Sequence, residues 1–207
     1  MATAVIATIV LTAVLETELN FGRNWLVWLL VSLEGLLLVA LIAGDPGAIT
    51  RRTRVLRALS IGLVCLMVLG ALWATVVLIS DLIHGGPETN SAGDLLAAGS
   101  IVWVSNNIAF ALLYWELDSG GAAARAHQSE RRIDLAFPQE LNPHLGSLDW
   151  RPRFIDYLYL GFTNATAFSP TDVMPLVPWA KITMTVQSLV SLGILALVIA
   201  RAVNVLA

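Results

Sequence analysis

Long apolar runs dominate the sequence and limit what the chain can fold into. A transmembrane helix needs roughly 20 mostly apolar residues. Such runs lie at 24–43, 55–83, 94–115 and 182–206. The first of them ends at turn residues, Gly44-Asp45-Pro46-Gly47, which break helices. The pattern predicts an all-α membrane protein.

A further apolar run, residues 2–15, is shorter and is closely followed by Glu16 and Glu18. Its length is compatible with a short span, an interfacial helix or a signal-like segment. Because no A-x-A-like cleavage site follows the run before Asn24, we expect a short span that is retained. The sequence therefore predicts about five transmembrane helices.

Composition excludes several classes of protein. Hydrophobic residues make up 57% of the chain and charged residues only 13%, whereas soluble domains carry about 25% charged residues. The net charge of −3 leaves no basic surface for nucleic acid. The single cysteine, Cys65, excludes a disulfide within the chain and a cysteine-based zinc site. The expected partner is the lipid bilayer, and neither a cofactor nor a metal ion is predicted.

Two groups of basic residues indicate an orientation. One group is Arg51, Arg52, Arg54 and Arg57, and the other is Arg125, Arg131, Arg132, Arg151 and Arg153. Two predicted helices separate the groups, so both are expected on one side of the membrane. Because Lys and Arg accumulate in cytoplasmic loops, this side is predicted to be cytoplasmic.

Residues 154–181 predict a hairpin rather than a span. The apolar stretch 155–166 would reach only about 18 Å as a helix, which is too short to cross a bilayer. Ser169 and Pro170 end it, and polar and proline-rich residues lead to the last long helix. A short helix, an irregular return and a full span form a re-entrant hairpin, which is tolerated at membrane depth only inside protein or beside water. The segment therefore predicts a pore or a cavity.

The same segment carries a spaced motif. Asp156 starts the short helix, Asp172 follows the irregular return, and Pro175 and Trp179-Ala180-Lys181 lead into the last helix. This spacing resembles, without a gap, the pore region of tetrameric potassium channels, in which a pore helix, the filter T-V-G-Y-G, Asp, Pro and Trp-Gly-Lys or Trp-Gly-Arg precede the inner helix. The resemblance implies a homo-tetramer with the hairpin and the last helix around the axis.

The filter positions depart from that family. They hold Thr166 and then Ala167-Phe168-Ser169-Pro170-Thr171, so Ser169 and Thr171 replace both glycines. A potassium filter needs glycine backbone angles to aim its carbonyls at the ion, and Pro170 also lacks an N–H. We therefore expect no potassium-type selectivity. The hydroxyls of Thr166, Ser169 and Thr171 would line a wider pathway, a ring of Asp172 carboxylates would favour cations, and Phe168 offers an apolar constriction instead.

Polar residues inside the predicted spans add candidate sites. Thr183, Gln187 and Ser191 share one face of the last helix, which either lines an inner vestibule or packs on other helices. Glu34 lies mid-span, where a charge costs at least about 2.5 kcal/mol unless it is paired or protonated. It is therefore either a proton or cation site, or a protonated carboxyl bonded to a neighbouring helix.

A second resemblance covers most of the chain. The strings Tyr114-Trp115-Glu116-Leu117-Asp118 and Asp156-Tyr157-Leu158-Tyr159-Leu160 are similar to those of small bacterial integral membrane proteins with no assigned function. It implies a multi-pass protein of the bacterial inner (plasma) membrane. Potassium channels enter the pore hairpin from outside, whereas the arginines place this entrance in the cytoplasm. An inverted pore, as in ionotropic glutamate receptors, would agree with both the resemblance and the orientation that the arginines indicate.

The sequence thus divides into a transmembrane helical domain (1–116), a polar and cytoplasmic connection (117–153) and a pore-like part (154–207). The predicted function is passive permeation of cations through a homo-tetramer. The alternatives are a non-conducting scaffold or accessory subunit, and a small proton-coupled transporter that uses Glu34. An enzyme is not expected, because the sequence holds no Ser/His/Asp or HExxH arrangement and no glycine-rich phosphate loop.

Overall fold

The computed structural model describes residues 2–18, 25–44, 54–85, 91–127, 132–142, 144, 150–167 and 172–206. The helices within these residues are α1 (Ala2–Glu18), α2 (Trp25–Gly44), α3 (Arg54–His84), α4 (Ala92–Leu117), α5 (Ala122–His127), α6 (Pro138–Leu141), α7 (Phe154–Ala167) and α8 (Pro178–Leu206). A turn of 3-10 helix, Asp118–Gly120, follows α4 directly. The strands β1 (Leu135–Ala136) and β2 (Met174–Pro175) pair in antiparallel fashion.

Each predicted apolar run folds as a helix, because a helix satisfies the backbone hydrogen bonds of an apolar segment internally. The three stretches Val55–His84, Ala92–Gly120 and Pro178–Val205 are long and apolar enough to cross a membrane, judged by length and composition. The apolar parts of α1 and α2, Thr3–Leu15 and Val27–Val39, are shorter. The helical fold is confirmed, and the number of five spans stays a prediction.

Helix α4 is the central element, and α1, α3, α7 and α8 all pack on it. Its small residues allow close approach: Val198 of α8 lies so near Gly99 that a Cβ on this glycine would be 2.8 Å from a Val198 methyl group. Towards the other end of α4, Tyr114 bonds Gln187 of α8. These two contacts show that α8 runs antiparallel to α4.

One arginine from each basic group lies at the same end of the bundle. Glu116, near the end of α4, accepts a hydrogen bond from Ser60 of α3 and lies near both Arg57 and Arg125. Arg57 belongs to the first basic group and Arg125 to the second. We call this end of the molecule the basic end, and the side of the membrane on which the two groups lie stays a prediction.

Part of the connection 117–153 packs more closely on the bundle than a polar linker would. Asp118, Arg125, Leu135 and Phe137 are all buried. Leu135 of β1 pairs with Pro175 of β2, immediately before α8. The apolar residues of β1 and the segment after it explain this packing, since they cover the rings at the beginning of α7, where Phe137 lies 5.2 Å from Tyr157 between ring centroids.

Candidate functional site

Helices α7 and α8 both begin at the basic end. Tyr157, in the first turns of α7, donates a hydrogen bond to the carboxylate of Asp118, just beyond the end of α4. Further along α7, Phe162 lies edge-on to Trp103 of α4, with 5.7 Å between ring centroids, so α7 runs antiparallel to α4. The pairing of β2 with β1 returns the chain to the basic end, where α8 starts. The two ends of the described segment therefore lie at the same end of the bundle. We call the segment the hairpin, and its re-entry into a membrane stays a prediction.

The length and the start of α7 agree with the sequence motif. The helix has 14 residues, which corresponds to about 21 Å, less than the roughly 30 Å of a hydrocarbon core. Asp156 lies in its first turn and accepts a hydrogen bond of 2.6 Å from the backbone N–H of Arg153. A carboxylate in this position satisfies a helix-terminal N–H and interacts well with the helix dipole. Asp156 thus helps to define where the hairpin begins.

A buried polar network joins the hairpin to α8 and α4. The side-chain N–H group of Asn164 on α7 donates to Gln187 Oε1 (2.8 Å) and to the carbonyl of Met184 (2.9 Å). The Gln187 amide in turn donates to the carbonyl of Gly161 (3.0 Å) and accepts from the hydroxyl of Tyr114 (2.7 Å). Buried bonds of this kind fix helices in one register because each partner would be costly to leave unpaired.

Unpaired polar atoms lie next to this network, in the middle of α4. Neither the Nδ2 nor the Oδ1 atom of Asn107 has a hydrogen-bond partner among the described residues, although the side chain is only 5% exposed. The same holds for Ser105 Oγ and Asn106 Oδ1. Buried polar atoms without a protein partner are the positions at which ordered water is found in proteins. Within the described residues, the centre of α4 is therefore a favourable place for water.

Asp118 anchors the entrance of the hairpin. Besides the Tyr157 hydroxyl, its carboxylate accepts hydrogen bonds from the backbone N–H of Leu135 (3.1 Å) and the hydroxyl of Ser119 (3.0 Å). Arg125 Nη1 donates to the Asp118 carbonyl (2.7 Å) and lies 3.9 Å from its carboxylate. Since Asp118 is 1% exposed, these hydrogen bonds and the nearby guanidinium offset the cost of burying its carboxylate.

Arg125 completes this anchor. Its guanidinium lies over the rings of Trp115 and Tyr157, at 4.5 Å and 5.1 Å from their centroids. Arg151, shortly before α7, donates a hydrogen bond to the Arg125 carbonyl. One buried ion pair thereby connects four parts of the chain, namely the end of α4, helix α5, strand β1 and the beginning of α7.

The predicted filter residues are only partly described. Thr166 and Ala167 are exposed at the end of α7, and the Thr166 hydroxyl donates to the carbonyl of Phe162 (2.9 Å). Phe168, Ser169, Pro170 and Thr171 lie outside the described residues. Asp172 is exposed just before β2, and so lies towards the basic end. Among the predicted filter residues, Thr166 therefore lies before the return from α7 to β2, at the end away from the basic end, and Asp172 lies after it, near the basic end.

The predicted inner-helix residues do not share an open surface in the single chain. Gln187 and Ser191 are 1% and 3% exposed, and Gln187 is used within the polar network. Thr183 is half-buried, with its hydroxyl bonded to the carbonyl of Trp179 (2.9 Å). The three side chains share a face, as predicted, but this face is turned towards the rest of the chain because Gln187 bonds α4 and α7.

A groove lies on another side of α8. Its volume is about 410 Å³, and its polar lining comes from Lys181, Thr185, Ser188 and Asn164 among apolar side chains. The hydroxyl of Ser188 donates to the carbonyl of Asn164 (3.3 Å), so the groove follows the contact between α7 and α8. Thr185, Ser188 and Lys181 are therefore polar residues of α8 that a pathway along this groove can reach.

Glu34 lies apart from the hairpin. Helix α2 packs mainly on α1 and α3. The carboxyl group is 1% exposed and faces Gly70 of α3, where a Cβ would be 3.8 Å from Glu34 Oε1. The structure thus places the residue inside the protein and not on a path through the hairpin.

The described residues bring together no three His, Cys, Asp or Glu side chains that could hold a metal ion. No protein-family model, curated protein or solved structure matches the chain. The site is thus defined by its own geometry: a hairpin, a buried network behind it and an ion pair at its entrance.

Sequence reasoning missed the partners that hold the hairpin. Asp118 and Tyr157 lie in the two strings that are similar to small bacterial membrane proteins, but nothing in either string indicates that the two side chains meet. Asn164 is not among the predicted site residues, and Tyr114 appears only in one of these strings, because one polar residue in an apolar helix does not reveal its partner. A polar residue in each of several apolar helices is the signal that could have suggested such a network.

Proposed function

We propose that the chain is a multi-pass protein of the bacterial inner membrane, whose homo-tetramer provides a passive pathway for cations without potassium-type selectivity. The hairpin is the observation that carries this proposal. Helix α7 stops part-way along the bundle, and the chain returns to the basic end before α8 begins. Within a bilayer, a segment that returns in this way needs protein or water around it.

The order of the elements supports a channel-like arrangement. A short helix, a return and a long helix follow one another as the pore helix, filter and inner helix do in the family that the sequence resembles. With its entrance at the basic end, the hairpin would open towards the cytoplasm, which is the inverted arrangement. The missing glycines at the filter positions argue for a pathway lined by side chains.

The proposal requires several copies of the chain. One hairpin encloses no axial pathway, and the groove between α7 and α8 is open on one side. Large apolar residues beside it, such as Leu189 and Leu192, are 63% and 46% exposed. Symmetric packing of four chains would cover this surface and close the groove into a pathway.

The charges near the mouth give a modest preference for cations. Asp172 is exposed there. The carbonyl end of α7 lies away from the mouth and directs its partial negative charge towards the deeper part of the return. Lys181, in the groove, acts against this preference. The preference for cations is therefore expected to come from the ring of Asp172 carboxylates, and Lys181 is expected to weaken it.

A non-conducting scaffold is the second candidate, and the rigidity of the hairpin favours it. The Asn164–Gln187–Tyr114 network and the buried Asp118–Arg125 pair hold α7 at both its entrance and its deeper turns. A hairpin fixed in this way can also have a purely structural role, in which it separates the interior of the subunit from lipid and conducts no ions.

Subunit counting and thiol accessibility distinguish these two functions. Native mass spectrometry in nanodiscs gives the number of chains. In a Cys65→Ser background, a charged and membrane-impermeant thiol reagent is then applied to Thr185→Cys on the groove, buried Ser191→Cys, and Val76→Cys on α3, which is 58% exposed. Since the reagent needs water, only a hydrated groove makes Thr185→Cys reactive while Ser191→Cys and Val76→Cys stay unmodified.

A tetramer with a reactive Thr185→Cys, and with cation flux in vesicles that modification blocks, is the expected result. A monomer or dimer leaves no axial pathway and would overturn the channel. A tetramer without flux, in which Thr185→Cys is as unreactive as Val76→Cys, would favour the scaffold.

A further inference from the structure

The carboxyl group of Glu34 occupies an apolar contact between two helices. It is 1% exposed, and its Oε2 atom has no hydrogen-bond partner among the described residues. The contact is close: a Cβ on Gly70 would lie 3.1 Å from a methyl group of Leu30 and 3.8 Å from Glu34 Oε1. The outward side of α2 carries the apolar residues Leu33 and Leu36, which are 41% and 66% exposed.

No charged group faces this carboxyl from the helices packed against it. Residues 2–15 of α1 and 58–80 of α3 contain no Asp, Glu, Lys, Arg or His. The only thiol there, Cys65, is on an exposed part of α3. The nearest basic residue on α3 in sequence, Arg57, lies at the basic end beside Glu116. An ionised Glu34 would therefore be a buried charge without a counter-charge, which proteins avoid by binding a proton.

From this geometry we propose that Glu34 is a proton-binding site between α2 and α3, and that release of its proton opens the contact at Gly70. The ligand is one proton, which moves to and from a carboxyl oxygen with no other chemical change. The neutral acid suits the apolar contact, whereas the carboxylate has to reach water. Helix α2 packs mainly on α1 and α3, so the proposed opening concerns these contacts and leaves the hairpin in place.

Infrared spectroscopy of the full chain in lipid vesicles tests the bound proton directly, because a protonated carboxyl has a carbonyl stretch that a carboxylate lacks. Spectra of wild type, Glu34→Gln and Glu116→Gln are recorded across a pH titration. Glu116 is the matched control, since it is also buried but lies beside Ser60, Arg57 and Arg125. At pH values at which exposed carboxyl groups are already ionised, we expect a protonated-carboxyl band that disappears as the pH rises further, is absent in Glu34→Gln and is retained in Glu116→Gln.

Thermal unfolding tests the second half of the proposal. Opening of the contact on proton release predicts that the unfolding midpoint of wild type falls as the pH rises through the loss of this band. Relative to wild type, Glu34→Gln should lose that pH dependence, because an amide cannot ionise. Identical infrared spectra for wild type and Glu34→Gln, or a band that never titrates, would overturn the proposal. A titrating band with no difference in the pH dependence of unfolding would overturn the opening of the contact. The proposal does not depend on ion permeation, so neither result bears on the channel.

Discussion

Gly161 of α7 and Asn107 of α4 meet so closely that a side chain on the glycine would require its neighbour to shift. A Cβ on Gly161 would lie 3.1 Å from Asn107 Oδ1, 3.3 Å from the Asn107 carbonyl oxygen and 3.5 Å from Gln187 Nε2. This approach brings α7 within hydrogen-bond distance of α8, since Gln187 donates to the carbonyl of the same glycine. The glycine therefore permits the close approach of α7 to α4 and α8.

The substitution Gly161→Ala should separate α7 from α4 and destabilise the protein by about 1–3 kcal/mol, the usual effect of overpacking. The measurement is the free energy of unfolding in detergent. Gly62→Ala on α3 is the control, because a Cβ there meets nothing within 4 Å. The control should be neutral or stabilised by up to about 1 kcal/mol, since alanine favours helices more than glycine does. Equal effects of the two substitutions would contradict the close contact.

The hydrogen bond from Tyr157 to Asp118 should contribute substantially to stability, because one partner is charged and both are buried. Tyr157→Phe is expected to cost about 1.5–3 kcal/mol of unfolding free energy. Tyr159→Phe on the same helix is the control and should have almost no effect, because Tyr159 is 54% exposed. A double-mutant cycle with Asp118→Asn isolates the pair, and additive effects in this cycle would show that the two side chains do not interact.

The helices could be predicted from the sequence because most of the apolar runs are as long as a helix must be to cross a bilayer. It could also predict the start of α7 at Asp156, which satisfies a local helix end. The direction in which Gln187 points could not be predicted, since a polar residue in an apolar helix suits a water-filled vestibule as well as a buried network. Only the packing of Tyr114, Asn164 and Gly161 around it decides between these environments.

The buried position of Gln187 predicts an effect on stability rather than on ion selectivity. Gln187→Leu removes the acceptor for the Tyr114 hydroxyl and leaves Asn164 only its bond to the carbonyl of Met184. An unpaired buried polar group costs about 1–3 kcal/mol, so the unfolding free energy should fall by at least this amount.

The matched control is Thr185→Val on the groove side of the same helix. The Thr185 hydroxyl bonds only its own helix, at the Lys181 carbonyl (2.8 Å), and stability should change by less than about 0.5 kcal/mol. If Gln187→Leu left stability unchanged and altered ion selectivity, Gln187 would face the pathway after all.

Asp172 and Lys181 should have opposite effects on ion preference, because both are exposed near the mouth and carry opposite charges. Asp172→Asn is expected to lower the cation-to-anion permeability ratio, and Lys181→Gln to raise it, each by about fivefold, which corresponds to about 1 kcal/mol. Reversal potentials in a salt gradient measure this ratio. The effects should shrink at high ionic strength, since exposed charges are screened. Asp94→Asn, an exposed carboxylate in the first turn of α4 at the opposite end, should leave the ratio unchanged. If Asp94→Asn altered the ratio as much as Asp172→Asn did, the selectivity would reflect the total charge of the protein, and the mouth of the hairpin would have no special role.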